Sequence, residues 1–390
     1  MRRADPGGLK VVGLFAGIGG IELGLHAAGH ATALLCDYEP AAQAVLAARF
    51  PNVPLVGDVR ELIALPRADV VAAGFPCQDL SQAGRTAGIN GGQSSLVGEV
   101  FRLLRHSDPT WLLLENVPFM LQLERGAAMR YLATALEELG FRWAYRVVDA
   151  RSFGLPQRRK RVLLLASRTE DPRKVLFHGD VGEPDTPKDV SELACGFYWT
   201  EGIRGLGWAV DSVPTLKGGS TIGIPSPPAI RFPDGFVGTP HIRDAERLQG
   251  FDADWTLPAA GLGVRTGARW KLVGNAVSVP MARWLGSRLL DPQTYDGDSD
   301  EPIAANVAWP RAAWGNGDGS AYSADVSAWP VRAPYSHLAE FLEEEPAPLS
   351  ERAAQGFLNR ASRSSLHFPE GLLDDVAAHL HRVRDPVLAA

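Results

Sequence analysis

LKVVGLFAGIGGIELGLHAA, residues 9 to 28, decides how the rest of the chain is read. Leu9 to Phe15 is a short β-rich run, Ala16-Gly17-Ile18-Gly19-Gly20 breaks it, and Ile21, Leu23, Leu25 and Ala28 can then line one side of a helix. Strand, glycine turn and helix in that order open a doubly wound α/β fold, with backbone free to approach a ligand at the glycines. The spacing departs from the usual dinucleotide fingerprint, and a tight turn that holds no ligand is the alternative reading.

Outward from this unit, Ala31 to Cys36 predicts a second strand ending at Asp37, and Tyr38-Glu39-Pro40 leads into a helix over Ala41 to Phe50. An acid at that strand end can accept from ribose hydroxyls and Tyr38 can stack on a base, although Asp37 would equally serve as a helix N-terminal charge. Val53 to Val56 predicts a third strand, closed by Gly57-Asp58-Val59. Successive strand ends that offer Gly, Asp and Asp suit a nucleoside-containing cofactor.

GFPCQDLS, residues 74 to 81, follows the apolar run Ala68 to Ala73. Pro76 stiffens the loop and holds Phe75 in extended geometry, which sets Cys77 at the C-terminal end of a strand, the edge where open α/β sheets keep their chemistry. A buried structural thiol is the other reading. Gln82 to Gln93, with Gly84, Gly88, Gly91 and Gly92, reads as a loop able to close over a substrate. Leu96 to Leu104 resumes helix periodicity, and Trp111 to Leu114 predicts a strand that delivers Glu115-Asn116-Val117 to the same edge as Cys77. Glu115 could alternatively be a surface loop acid.

Arg125 to Leu139 predicts a helix stopped by Gly140, and strands at Tyr145 to Asp149 and Val162 to Ala166 bracket Gln157-Arg158-Arg159-Lys160-Arg161. Gln157, Arg159 and Arg161 would share one strand face, with Arg158 and Lys160 on the other. Such a cluster is either a phosphate contact or a solvated strand edge that uses charge to prevent pairing.

From Thr169 to Gly238 the βα rhythm gives way to Pro and Gly-rich loops with 10 acidic and 6 basic residues, which predicts a smaller irregular domain. Pro240 to Phe251 and Met281 to Leu290, helical on either side of Arg269 to Pro280, read as a return to the large domain. Residues 291 to 335 carry Trp309, Trp314 and Trp329, expected to strap against a folded surface, and short amphipathic helices follow at His337 to Glu344, Ser350 to Arg360 and Pro369 to Val383. Residues 300 to 385 are expected to pack on the large domain.

The 390 residues imply two or three domains, and 45% hydrophobic content implies a folded core. Cys36, Cys77 and Cys195 share no pair spacing, which argues against a disulfide framework and a Cys-rich zinc site. No basic-apolar leader and no run of 18 apolar residues is found, so a soluble, cytoplasmic protein without a membrane partner is expected. The net charge of −6 is uneven: residues 291 to 390 carry 7 Arg and Lys against 16 Asp and Glu, a balance of −9, and the remainder 32 against 29, or +3. A mildly basic body is compatible with nucleic acid.

FAGIGG at Phe15 to Gly20, GFPCQ at Gly74 to Gln78, ENV at Glu115 to Val117, the basic run Gln157 to Arg161, the helix Ile242 to Phe251 and GNAV at Gly274 to Val277 occur in an order that resembles the DNA (cytosine-5)-methyltransferase family over residues 9 to 290. The resemblance implies an α/β, methyltransferase-like mixed sheet with helices on both faces over residues 1–168 and 239–290. It also implies a small irregular target-recognition domain at 169–238, and leaves 291–390 as an acidic, mainly helical appendage. It implies S-adenosyl-L-methionine, released as S-adenosyl-L-homocysteine, against Phe15, Ala16, Gly17, Ile18, Gly19, Gly20, Asp37, Tyr38, Asp58, Val59, Pro76, Leu96, Asn275 and Ala276, and no metal. Cys77, Glu115, Arg159 and Arg161 are the implied catalytic residues, and Gln78, Ser81, Arg85 and Gln157 the implied DNA contacts.

In that chemistry the target cytosine is flipped out of duplex DNA and a thiolate adds at C6 to make C5 nucleophilic. Glu115 would stabilise charge at N3 and the exocyclic amine, Arg161 would reach O2, and Arg159 would hold phosphate or neighbouring site groups. No side chain is nominated for removing the C5 proton. The partner is double-stranded DNA, bound by a monomer associated with the nucleoid, and a cognate restriction or defence system is compatible with it. Methylation of RNA cytosine and a catalytically idle DNA-binding protein are the alternatives. A zinc deaminase is disfavoured, since its ligand spacing is absent. The chain departs from the family pattern at Asp37 and Asp244, where Glu is usual, at Glu246, where a small residue is usual, and at Gln93-Ser94-Ser95, where the loop's phosphate contact would pass to Arg85.

Overall fold

The computed structural model describes residues 7–75, 96–187, 189–219, 226–261, 267–304 and 307–385. Pro76, Cys77, Gln78, Ser81, Arg85 and the glycine-rich loop lie outside the described residues. The chain folds as two compact units, Met1–Phe153 with Lys160–Glu183 and Val277–Arg332, and Gly154–Arg159 with Pro184–Ala276 and Ala333–Ala390.

The first unit is built on a ten-stranded sheet. Strands β1 (Lys10–Leu14), β2 (Ala31–Cys36), β3 (Leu55–Val56), β4 (Val70–Ala73) and β5 (Trp111–Asn116) are parallel and run in the order β5-β4-β1-β2-β3. All four residues of β4 and all six of β5 are buried. Burial on both faces explains why the central strands read as unbroken apolar runs. β6 (Arg142–Asp149) and, between it and β5, the antiparallel β8 (Lys160–Ser167) extend the sheet.

Side chains alternate across the sheet. Val12, Leu14, Leu112 and Leu114 share one core with Val100, Leu104, Leu132 and Leu136, from the helices α3 (Leu96–Leu104) and α4 (Ala127–Glu138). On the opposite face, helix α1 (Gly20–Ala27) lies against Gly13, and α9 (Val279–Leu290) lies against α1. A Cβ at Gly24 would come within 2.5 Å of the Ala282 Cβ, so the glycine is what lets the two helices approach. Buried His30 clasps the same pair: Nδ1 accepts from the Leu9 amide at 3.0 Å, which leaves Nε2 to donate to the Gly286 carbonyl at 3.0 Å.

Beyond β6 the sheet continues into the acidic segment, with β15 (Ala312–Gly315) on β6, then β16 (Ala321–Ser323) and β14 (Glu301–Pro302). Trp309 meets Trp143 edge-on at 6.0 Å, and Trp314 stacks on Tyr322 at 4.5 Å. Fully buried Arg146 donates to the carbonyls of Ser327 (2.8 Å), Leu176 (3.0 Å) and Gly179 (2.8 Å), tying this strap to β6. Burial lowers its pKa to about 10, with Asp180 acting in the opposite direction.

The second unit holds a five-stranded antiparallel sheet ordered β10 (Trp208–Val210), β9 (Cys195–Phe197), β12 (Ala229–Arg231), β13 (Val237–Thr239) and β17 (Ala347–Pro348). Helices α11 (Glu351–Ala361) and α12 (Leu372–Arg384) bury Phe357, Val376 and Leu380 against Phe197, Ala229 and Val237. A separate core joins Val213, Leu216, Ile230, Ala245, Leu248 and Val273. It gathers α6 (Ile242–Arg247), α8 (Gly267–Asn275) and the parallel pair β7 (Gln157–Arg158) and β11 (Val213–Pro214).

The units divide the chain differently from the consecutive blocks read in the sequence. Of the segment read as a return to the large domain, 239–276 lies in the second unit and 277–290 in the first. The C-terminal segment is likewise shared: 301–323 lengthens the large sheet, whereas 333–385 completes the smaller one.

Candidate active site

At the end of β1 the backbone turns left-handed three times, at Phe15 (φ 54°), Gly17 (φ 58°) and Gly19 (φ 82°). A Cβ at Gly17 would meet nothing within 4 Å, so open space lies over bare backbone at the centre of the turn. Asp37, at the end of β2, braces that turn: Oδ2 accepts from the Gly17 amide at 2.7 Å and Oδ1 from the Glu39 amide at 2.9 Å. A carboxylate oxygen carries two lone pairs and can accept from more than one donor. Tyr38 stands 73% exposed beside it, as a base-stacking side chain must before its ligand binds.

At the end of β3, the Asp58 carboxylate is taken by Arg60, through the amide at 2.9 Å and Nη2 at 2.6 Å, which holds its pKa below the usual range. Arg102 on α3 fixes the following turn by donating to the Leu62 carbonyl at 2.8 Å, while Val59 is buried. Leu96, half-buried, opens α3. Bare glycine backbone, a carboxylate and an exposed aromatic ring at neighbouring strand ends are chemically compatible with a nucleoside-containing cofactor.

The ends of β1, β4 and β5 meet at Gly74, where a Cβ would lie 3.6 Å from Glu115 Oε2 and 3.9 Å from the Phe15 carbonyl. Glu115 is buried, and its Oε1 pairs with Arg161 Nε at 2.9 Å. Arg161 also donates from Nη1 to the Lys160 carbonyl at 2.8 Å, which restrains the guanidinium beside Glu115. The structure thus brings two of the four sequence-assigned catalytic residues into direct contact.

Asn116 has a role that the sequence does not disclose. Its Nδ2 donates to the Phe75 carbonyl at 3.0 Å in buried surroundings, and its Oδ1 accepts from the half-buried Val117 amide at 2.8 Å. The side chain ties the end of β5 to the residue just before Pro76 and Cys77. Asn116→Ala leaves the Phe75 carbonyl and Val117 amide without these partners, a cost of about 2 kcal/mol. Because it also loosens the root of the Cys77 loop, kcat is expected to fall about 10²-fold with little change in cofactor affinity. Thermal unfolding and steady-state kinetics on the same preparation separate the two effects.

Glu22 lies beneath the turn, 1% exposed, with its Oε1 only 2.0 Å from where a Cβ on Gly13 would be. Its Oε2 has no hydrogen-bond partner among the described residues. Burial, with Asp37 adding to it, pushes the carboxyl up from 4.5 to about 7. The folded value exceeds the unfolded one, so the carboxyl's contribution is fully present below pH 4.5, is lost as pH rises to about 7, and levels off above that. Glu22→Gln removes this term, and its stability relative to wild type is expected to rise by about 3 kcal/mol between about pH 5 and pH 8. Parallel denaturant-unfolding profiles for the two proteins would contradict it.

In the second unit, Gln157 and Arg159 are both fully buried, so this face of the basic run is turned into the protein. Gln157 Nε2 donates to the Leu248 carbonyl at 2.7 Å and its Oε1 accepts from the Leu216 amide at 3.0 Å, so the side chain fastens three segments. Arg159 donates to the carbonyls of Leu216 (3.0 Å), Gly274 (3.1 Å) and Ala276 (2.6 Å). It holds backbone of the GNAV stretch. Asn275 packs against Gly218, where a Cβ would be 2.5 Å from Oδ1. The alternation itself is observed, since Arg158 is exposed and Lys160 half-buried, the latter 3.5 Å from Glu183.

The two atypical acids of the Ile242 helix are also accounted for. Glu246 is buried, and its Oε1 accepts from the Thr256 amide (2.8 Å) and Arg269 Nη2 (3.0 Å). Asp244 accepts from Arg247 at 2.6 Å and from the amides of Glu343 and Glu344, both at 3.1 Å. The local packing that these substitutions put in question is intact.

A mixed sheet with a bare glycine turn, acids at successive strand ends and a buried Glu–Arg pair is a methyltransferase-like α/β fold. Residues 9–195 match the family described as C-5 cytosine-specific DNA methylase. The chain is 52% identical over 366 residues to the Type II methyltransferase M2.BsuMI of Bacillus subtilis (strain 168), covering 91% of this chain and 94% of that one. It is 34% identical over 190 residues to the Type II methyltransferase M.BanI of Aneurinibacillus aneurinilyticus, covering 47% of this chain and 44% of that one. Among solved structures, the S. pombe Dnmt2 methyltransferase aligns over 73% of this chain and 98% of its own at 16% identity, with a TM-score of 0.49.

The chain belongs to the C-5 cytosine-specific DNA methylase family. It is a DNA (cytosine-5)-methyltransferase that uses S-adenosyl-L-methionine and a catalytic cysteine, and acts on a flipped-out base. Among the described residues there is no cluster that could hold a metal ion, and no helix long and apolar enough to cross a membrane.

Proposed function

We propose that Cys77 is the catalytic cysteine, that Glu115 and Arg161 act directly on the target cytosine, and that the second unit selects the duplex sequence. The observation that carries this reading is the buried Glu115–Arg161 pair, 2.9 Å apart at the edge of the sheet where the chain enters the Cys77 loop. A carboxyl and a guanidinium held edge to edge match the N3, exocyclic amine and O2 edge of cytosine. The cofactor supplies an electrophilic methyl group.

The Cys77 thiolate adds to C6 while Glu115 delivers a proton to N3, so the electron pair of the C5–C6 bond becomes available at C5. Arg161 holds the O2 side and keeps Glu115 oriented. Once C5 carries the methyl group, loss of the C5 proton to water, departure of the thiolate from C6 and return of the N3 proton to Glu115 restore the ring. Within the second unit, Arg159 fixes the Leu216, Gly274 and Ala276 backbone.

The similarity to M2.BsuMI, a Type II methyltransferase, supports pairing with a restriction system, and a DNA substrate supports action in the cytoplasm in association with the nucleoid. Incubation with cofactor labelled in its methyl group, offering duplex DNA and structured RNA in parallel, is expected to label only DNA. Bisulfite sequencing is then expected to place the modification within one short sequence. Label in RNA alone would overturn the reading.

A further inference from the structure

In the second unit, β9 and β10 form a hairpin. Phe197 pairs with Trp208, and the Tyr198 amide donates to the Gly207 carbonyl at 2.9 Å. Its tip, Gly202 to Gly205, closes through a 2.8 Å bond from the Gly205 amide to the Gly202 carbonyl and exposes Ile203 and Arg204. A short glycine-flanked tip carrying one apolar side chain and one guanidinium suits a groove edge, where an aliphatic contact can meet a thymine methyl and arginine can pair with guanine.

Both legs of the hairpin are held by the C-terminal segment. Arg360, near the end of α11, donates from Nη2 to the Trp199 carbonyl, and Trp208 Nε1 donates to the His367 carbonyl at 2.8 Å. On the first leg, Trp199 Nε1 also donates to the Pro227 carbonyl at 2.8 Å, and Thr200 bonds Ser226. Glu201 pairs with Lys217 at 3.0 Å, and the Lys217 ammonium sits 4.0 Å from the Tyr198 ring centre. The same C-terminal helices grip the sheet at its other end, through Asp375 on Arg231 at 2.7 Å and Arg382 on the Gly235 carbonyl.

We propose that the C-terminal helical pair is a specificity determinant: through Arg360 and the turn at His367 it fixes the 198–208 hairpin so that Ile203 and Arg204 meet DNA in one register. Arg360 is a positioning residue and Arg204 the contact. The proposal rests on the second unit being the DNA-selecting one, and it assigns a function to an appendage that would otherwise be only structural.

The test uses the full chain as wild type, Arg360→Met, Arg360→Lys and Arg204→Ala, each incubated with unmethylated plasmid DNA and cofactor and read by bisulfite sequencing across every cytosine context. For Arg360→Met, the ratio of methylation at the preferred context to that at the next best is expected to drop about tenfold. Its KM for DNA should rise while its KM for cofactor stays at the wild-type value. Arg360→Lys, which keeps one donor for the Trp199 carbonyl, should recover most of the ratio. Arg204→Ala should lose about tenfold at the preferred context and relax the choice at one neighbouring base pair. An unchanged context ratio in Arg360→Met overturns the positioning role. Should that variant not fold, an unchanged ratio in Arg204→Ala overturns the proposal by itself. Absence of methylated cytosine in the wild-type reaction would instead overturn the function on which the proposal rests.

Discussion

Cys77→Ala is expected to abolish methyl transfer into DNA, a loss of ~10⁵-fold in kcat. Cytosine C5 attacks a sulfonium methyl too slowly without a nucleophile at C6, so no other group on the edge of the sheet can substitute for the thiolate. Cofactor affinity should be unchanged, because the glycine turn, Asp37 and Tyr38 belong to other strand ends. Cys77→Ser should be nearly as inactive, since a hydroxyl is far less ionised than a thiol at neutral pH. The decisive comparison is labelled-methyl incorporation beside calorimetric cofactor binding. Retained incorporation in either variant would remove Cys77 from the mechanism, whereas loss of both signals would report misfolding.

Glu115 should give the second largest effect, and in two separable parts. Glu115→Gln keeps a carbonyl oxygen for Arg161 Nε but has no proton to deliver, so kcat is expected to fall about 10³-fold with stability nearly intact. Glu115→Ala removes the partner as well and leaves the Arg161 guanidinium, 8% exposed, without its carboxylate. Breaking a buried pair in this way costs about 3 kcal/mol of folding stability, in addition to the loss of turnover. Denaturant midpoints and single-turnover rates, measured for both variants, distinguish the roles. Equal turnover by Glu115→Gln and wild type would show that Glu115 only orients Arg161.

The parallel part of the sheet was legible because its central strands are buried on both faces and three of its five strands lead to a conspicuous acid. Runs such as Val70–Ala73 and Trp111–Leu114 cannot be helices in so short a space, and Asp37, Asp58 and Glu115 mark their carboxyl ends. Gln157 to Arg161 was legible in its alternation and not in its surroundings: period two gives the faces, but only the fold shows that one face meets backbone carbonyls. Asn116 was hidden for a related reason, since its partner at Phe75 is 41 residues away.

The acidic C-terminal segment concealed its divided allegiance because its joining strands are so short. Glu301–Pro302 and Ala347–Pro348 are two residues each and carry no hydrophobic pattern, yet one extends the large sheet and the other completes the small one. Helices Glu351–Ala361 and Leu372–Arg384 were foreseeable from their amphipathic spacing, whereas their docking on Phe197, Ala229 and Val237 depends on residues more than a hundred positions earlier.

The covalent step can be observed directly. Duplex DNA in which the target cytosine is replaced by 5-fluorocytosine cannot lose a proton from C5, so an enzyme that adds a thiolate at C6 and then methylates C5 is held on its substrate. With cofactor present, a denaturation-resistant complex is expected for wild type and not for Cys77→Ala, with peptide mass spectrometry placing the nucleotide on Cys77. An adduct of equal yield in Cys77→Ala, or one carried by another residue, would contradict Cys77 as the nucleophile.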